Sequence, residues 1–343
     1  MGHSPAAHAS QAVRGQAALH AGGKKPALTA RPWWPWFRRI ASALFLLFVA
    51  ALLVLQARHI EWDKVLTSLE DYPVSASWGA VLLAFASFAL YGCYDLLGRS
   101  YTGHKLGAGA VMTTAAMSYG FTLNLGSLVG GIATRLRLYT RLGLQLGDIN
   151  RIISFSMLTN WLGYTLLAGL VFSIWPPVLP DGWKIDTLGL RLIGFALLAL
   201  ALAYFVMCAM ARTRKRQVRG HEIELPSARL AALQLATGAA NWLVMSGIIF
   251  ILLQHRIDYF TVVGVLLLAA IAGVIVRVPA NLGVLEAVFV ALLSSQMPQH
   301  EILAALVAYR VVYYLVPLAL ATVTYVVLEA QAKKLARAAK EAS

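Results

Sequence analysis

Four groups of polar residues sit within or beside long apolar runs, and their types suit ion pairing or anion binding. RVPANLGVLE carries Arg277, Pro279, Asn281, Gly283 and Glu286 after the run YFTVVGVLLLAAIAGVIV. NLGSLVGGIATRLRLYTRLG carries Asn124, Gly130, Gly131, Arg135, Arg137 and Arg141. AYRVVYYLVP sets Arg310 among Tyr309, Tyr313, Tyr314 and Pro317, and YGCYDLLGRS places Asp95 four residues before Arg99. Arginine stays ionised and presents a planar fork of donors matched to phosphate or carboxylate. An ionised side chain at the centre of a bilayer costs roughly 2.5–3.5 kcal/mol on insertion scales, so such residues need partners or a hydrated cavity. Arg135, Arg137, Arg277 and Arg310 outnumber Asp95 and Glu286, which suits an anionic ligand better than a cation.

Plainer readings stand beside these. Arg135, Arg137, Arg141 and Arg151 could be a basic loop facing anionic lipid, and Arg310 could snorkel. Glu286 could complement the dipole of a helix starting near Leu282. Otherwise Glu286 and Arg277 face each other, Arg310 or a cavity. Asp95 and Arg99 have the spacing of a local helical ion pair, and Tyr313 lies one turn beyond Arg310. Asn160 and Asn241, each followed by Trp, have hydrogen bonding between helices as their default role. Gly130, Gly131, Pro279 and Gly283 would loosen the backbone as hinges.

The elements that must position these residues are membrane spans. Apolar residues make up 59% of the chain and charged residues 13%, against roughly 45–50% and 25% in soluble domains. The net charge of +14 is concentrated at the ends of apolar runs, the pattern of loops facing anionic lipid, which argues against a nucleic-acid partner. Neither the cysteines, Cys93 and Cys208, nor the histidines form a metal-ligand spacing, and no phosphate-binding G-x-x-x-x-G-K-[ST] loop occurs. No cofactor is expected.

Charge bias orients the spans. Ile40–Gln56 runs outward after a basic tail, Ala76–Leu97 inward, Ile152–Ile174 outward, Leu192–Ala211 inward to the basic loop RTRKRQVRG, Leu230–Leu253 outward and Ile302–Leu328 inward. Parity then requires Leu106–Thr134 to begin and end inside; it is too short to cross a bilayer of ~30 Å twice and is expected to be re-entrant. Tyr259–Ser295 must begin and end outside, as a second re-entrant hairpin or as two crossings. The expected fold is an all-α polytopic membrane protein with about six full spans and two hairpin segments, in two inverted repeats. Residues 1–39 read as a disordered basic tail, 40–328 as one lipid-handling domain and 329–343 as a second basic tail, both termini facing the cytoplasm.

The ordered set YGCYDLL, NLGSLVGGIATRLRLYTRLG, NWLGY, GVLEAVF and AYRVVYYLVPL resembles the YbhN-like bacterial inner-membrane proteins over residues 36–335. More distantly it resembles the flippase domain of the MprF lysylphosphatidylglycerol synthases. Pro279, Gly283 and Glu286 match the family pattern, whereas Asn281 stands where a glycine is usual. The resemblance implies a lipid-handling membrane fold with re-entrant helices in the bacterial inner membrane. It also implies no lysyl transfer by this chain alone, since the chain ends soon after its last span.

The function these readings support is translocation of an anionic phospholipid, such as phosphatidylglycerol or cardiolipin, between leaflets. Arg135, Arg137, Arg277 and Arg310 would bind the lipid phosphate. Glu286, Asp95, Asn124 and Tyr313 would serve as charge partners or gates. The alternatives are a carrier for polyprenyl-phosphate or a lipid-linked sugar, and an intramembrane lipid transferase. A second copy of the chain or a lipid-synthesising enzyme is the partner class left open.

Overall fold

The computed structural model describes residues 73–180, 186–211, 215–218, 221–276 and 279–341, together with Thr67. The expected first span at 40–56, the tail at 1–39 and Arg277 lie outside the described residues.

Six described helices are long and apolar enough to cross a membrane. The first, α1 (Val74–Thr102), opens after Pro73 and closes on Gly103, whose φ of 75° lets its N–H reach the Arg99 carbonyl. Next come α2 (Ala108–Gly126), a π-helical stretch (Ser127–Ala133) and α3 (Thr134–Arg141). They are followed by α4 (Leu146–Ile174) and α5 (Thr187–Met210), the latter capped by the Asp186 carboxylate. A two-stranded antiparallel ribbon pairs β1 (Lys215–Val218) with β2 (His221–Glu224). The basic segment read as a loop therefore contains a strand, a small exception to the all-α expectation.

The chain continues as α6 (Ala228–Leu252), whose first turn is capped by the Ser227 hydroxyl, and α7 (Tyr259–Val276). A 3-10 turn (Pro279–Asn281) leads into α8 (Val284–Leu293). α9 (Gln299–Arg310) passes through a second π-helical stretch (Val311–Leu315) into α10 (Val316–Glu341). That last helix continues without a break well past Leu328.

Small residues let the spans pack. A Cβ on Gly163 of α4 would lie 2.1 Å from the backbone of Gly238 in α6, so the two backbones touch there. Gly79 lies against Ile251 and Ser87 bonds Asn241, which sets α1 and α6 antiparallel. The main apolar core runs through α1, α4 and α6–α9.

Each repeat is two spans around a broken segment. In the first, α2 turns at Gly126 (φ 79°) and the π-helical limb folds back so closely that a Cβ on Gly130 would sit 2.2 Å from the Phe121 carbonyl oxygen. The Arg151 guanidinium lies over the Tyr101 ring, so α4 begins beside the end of α1 and the hairpin between them enters and leaves on one side. In the second, the return limb α8 has 10 residues, about 15 Å of helix, half the hydrocarbon thickness. Arg256, before α7, pairs with Glu301 in the first turn of α9, so this segment also starts and ends on one side. Of its two limbs, α7 is long and apolar enough to cross a membrane and α8 is not. Because α1 and α6 are antiparallel and each leads into its hairpin, the hairpins enter from opposite sides. That is the inverted arrangement the charge count required.

Candidate functional site

The two hairpins meet the rest of the bundle through two buried ion pairs. In the first, Arg135 of α3 donates from Nε and Nη2 to the two carboxylate oxygens of Asp95 on α1, at 3.0 and 3.1 Å. The Tyr139 hydroxyl donates to Asp95 Oδ2 at 2.8 Å, and Arg135 Nη2 reaches Ser156 Oγ at 3.5 Å. The Arg135 and Asp95 side chains are 4% and 0% exposed. This corrects the expectation that Asp95 pairs locally with Arg99. The α3 limb brings a second guanidinium to a fully buried carboxylate in bidentate geometry, which a flexible neighbour at the helix end does not match.

In the second pair, Arg310 of α9 grips Glu286, in the first turn of α8, through Nε and Nη2; the Nη2 to Oε2 distance is 3.0 Å. Its Nη1 and Nη2 also donate to the carbonyls of Ala280 and Asn281, both at 3.0 Å. Those two residues have φ of 55° and 50°, and Gly283 follows at 74°. For Ala280 the left-handed conformation costs about 1–2 kcal/mol, so Arg310 holds a break that the local sequence disfavours. Arg310 is 6% exposed and Glu286 20%. Of the partners the sequence offered Glu286, the structure brings Arg310.

A file of tyrosines joins the pairs. The Arg135 guanidinium lies 5.4 Å from the Tyr91 ring centroid, and Tyr91 stacks on Tyr119 at 3.6 Å. The Tyr119 and Tyr313 hydroxyls are 2.8 Å apart, and Tyr313 also meets Ser87 Oγ at 2.5 Å. Tyr313 contacts the ring of Tyr314, and Tyr314 lies under Arg310 at 5.3 Å. Arg310 thus faces Tyr314 rather than Tyr313, one turn on by α-helical spacing. Both tyrosines lie within one helical turn of Arg310, at i+3 and i+4, and the π-helical stretch that begins at Val311 is a local irregularity found frequently at functional sites.

The remaining sequence candidates divide. Asn124 donates to the carbonyls of Gly120 and Tyr314, at 2.9 and 3.1 Å, tying the first break to the π-helical stretch of the last span. Gly131, like Gly130, is buried in the first π-helical limb. Pro279 opens the 3-10 turn and Gly283 precedes α8. Asn281 lies against Gly273, where a Cβ would clash with its amide. Arg137 lies away from both pairs, 47% exposed, pairing with Glu329 at 3.3 Å beside Arg141. Asn241 accepts from Ser87 across helices, whereas at Asn160 the backbone carbonyl accepts from Trp242.

Sequence reasoning missed Tyr91, Tyr119 and Tyr139, which cross the bundle, and Gly126. One signal was available for Gly126. The tripeptide Asn-Leu-Gly occurs at both breaks, as Asn124–Gly126 and Asn281–Gly283, and both glycines take the left-handed φ.

A family model described as the lysylphosphatidylglycerol synthase TM region matches residues 40–321. The inner membrane protein YbhN of Escherichia coli is 47% identical over 91% of this chain and 98% of its own length. An uncharacterised Synechocystis protein is 30% identical over 83% of the chain and 89% of its length. A Staphylococcus haemolyticus phosphatidylglycerol lysyltransferase is 29% identical over 24% of the chain and 10% of its own length.

Proposed function

The chain belongs to the lysylphosphatidylglycerol synthase transmembrane-region family, and on that premise we propose that it translocates an anionic phospholipid between membrane leaflets. The observation that carries this reading is the Glu286–Arg310 pair, set at the break of a hairpin. An anionic phosphate offers the same bidentate acceptor geometry as a carboxylate. It can replace Glu286 on the Nε/Nη2 edge of Arg310 while Nη1 keeps its hold on the Ala280 carbonyl. Glu286, the more exposed partner, is the one displaced. The freed hairpin then pivots at Pro279–Gly283, while the sealed Asp95–Arg135 pair keeps the other hairpin fixed. Arg277, in the same stretch of sequence, would add to the positive charge at this break.

The name of the staphylococcal relative supports phosphatidylglycerol as the lipid class. The protein would sit in the bacterial inner membrane with its arginine-rich end and both termini in the cytoplasm, by charge bias. The test is leaflet exchange of labelled phosphatidylglycerol in proteoliposomes, comparing wild type with Arg310→Ala and Glu286→Ala. Wild type is expected to exchange lipid, Arg310→Ala to lose most of that rate and Glu286→Ala to change it. Equal rates in all three would end the exchange mechanism, and no exchange by wild type would end the activity.

A further inference from the structure

A groove of about 300 Å³ runs along the outer face of the bundle between α1, α2 and the last span. Val81, Phe85 and Phe88 line it from α1, Thr113 and Met117 from α2, and Leu320 from α10. The lining is almost wholly apolar, so it suits a hydrocarbon chain and offers nothing to a head group. Its inner wall is part of the tyrosine file: Phe88 packs on Tyr119 and Tyr313, with ring centroids 4.9 and 5.8 Å away.

One end of the groove is charged. Ala321 lines it, and Tyr325 and Glu329 follow at four-residue intervals on the same face of α10. Met117 and Ala321 also pack against Leu138 of α3. From that limb Arg137 lies over the Tyr325 ring at 5.3 Å, and both Arg137 and Arg141 reach the single carboxylate of Glu329. Two guanidiniums share one carboxylate, and their side chains are 47% and 41% exposed. An excess positive charge, open to the surroundings, therefore stands where a hydrocarbon-shaped groove ends.

We propose that this groove docks one acyl chain of an anionic phospholipid whose phosphate pairs with Arg137 and Arg141. It is a lateral holding site apart from Arg310, and it stands without the exchange mechanism. The apolar groove commits the site to a lipid, and the paired guanidiniums commit it to an anionic one. Thr113 and Ala116, small side chains on the groove wall, leave room for the chain.

The experiment is native mass spectrometry of the full chain after equilibration with phosphatidylglycerol or phosphatidylcholine of identical acyl chains. Wild type is expected to retain phosphatidylglycerol about tenfold better, the equivalent of one charge-assisted hydrogen bond. Arg137→Gln with Arg141→Gln is expected to erase that preference while leaving phosphatidylcholine retention unchanged. Ala116→Phe, which fills the groove, is expected to reduce both lipids, and Leu192→Phe, on the far helix α5, neither. Equal retention of the two lipids by wild type, or undiminished retention by Ala116→Phe, would overturn the proposal. So would displacement of the lipid by water-soluble glycerophosphoglycerol at equal concentration, because the arginines alone would then be the site. Retention in the groove is read from Ala116→Phe and from the arginine double variant, and leaflet exchange from Arg310→Ala, so a failure of leaflet exchange and a failure of retention are separate results.

Discussion

The two buried ion pairs resemble each other in chemistry and differ in how they are closed. Asp95–Arg135 is sealed: the carboxylate is fully buried and also bonded to Tyr139, with Ser156 at the edge of the guanidinium. Glu286–Arg310 is half open: the arginine is buried, the glutamate is partly exposed, and the same guanidinium holds the carbonyls of a left-handed turn. In the first the hairpin supplies the arginine, in the second the acid. A pair within the packed bundle can only hold an element in place. A pair at a chain break, with one partner reachable, can also let it go. On the function proposed above, the same residue types serve as a fixed clamp at one hairpin and as a releasable one at the other.

The largest expected effect breaks the clamp. Asp95→Asn leaves Arg135 buried without a counter-charge and should cost about 3–5 kcal/mol, measured as thermal unfolding in detergent. Glu286→Gln should cost clearly less, because its site is partly exposed and Arg310 keeps its two carbonyl partners. If Glu286→Gln is as damaging as Asp95→Asn, the distinction between sealed and releasable pairs fails.

A smaller effect tests the frame that both pairs rely on. Gly163→Ala would push α4 off α6 at their backbone contact and should cost about 1–3 kcal/mol. A neutral result would mean that the frame tolerates movement the comparison assigns to the second hairpin alone. Tyr119→Phe keeps the stack on Tyr91 but removes the hydroxyl bond to Tyr313. It should cost about 1 kcal/mol, and leaflet exchange should respond if the tyrosine file links the pairs. Least of all, Arg256→Gln removes an exposed pair at the mouth of the second hairpin, worth about 0–1 kcal/mol and weaker still at high salt. A loss of several kcal/mol there would show that the hairpin mouth, rather than Arg310, governs its position.

Much of this was legible in the residues. Five of the apolar runs appear as α1, α4, α5, α6 and α9–α10, because backbone polar groups in hydrocarbon must be satisfied within helices. The inverted hairpins followed from charge bias and parity, and for Leu106–Thr134 also from a length too short for two crossings. Arg310 and Glu286 stood out because ionised groups in apolar runs require partners. Asp95 did not yield its partner, since its nearest cation in sequence was Arg99 and the fold delivered Arg135 instead. Tyr91, Tyr119 and Tyr139 look like ordinary aromatic filling in the sequence. Their roles come from the helices on either side.

By itself, then, the sequence determined the membrane class, the number and order of the breaks, and the need for buried charge pairing. These depend on composition, length and the energetic cost of charge in hydrocarbon, all of which are local. Only the tertiary structure decided which acid meets which arginine, which pair is sealed, and that a line of tyrosines spans the gap between them. Partners such as Asp95 and Arg135, or Glu286 and Arg310, lie 40 and 24 residues apart. Their meeting depends on how closely glycines allow the backbones to approach and on which helices then pack together. Neither can be read from the spacing along one helix.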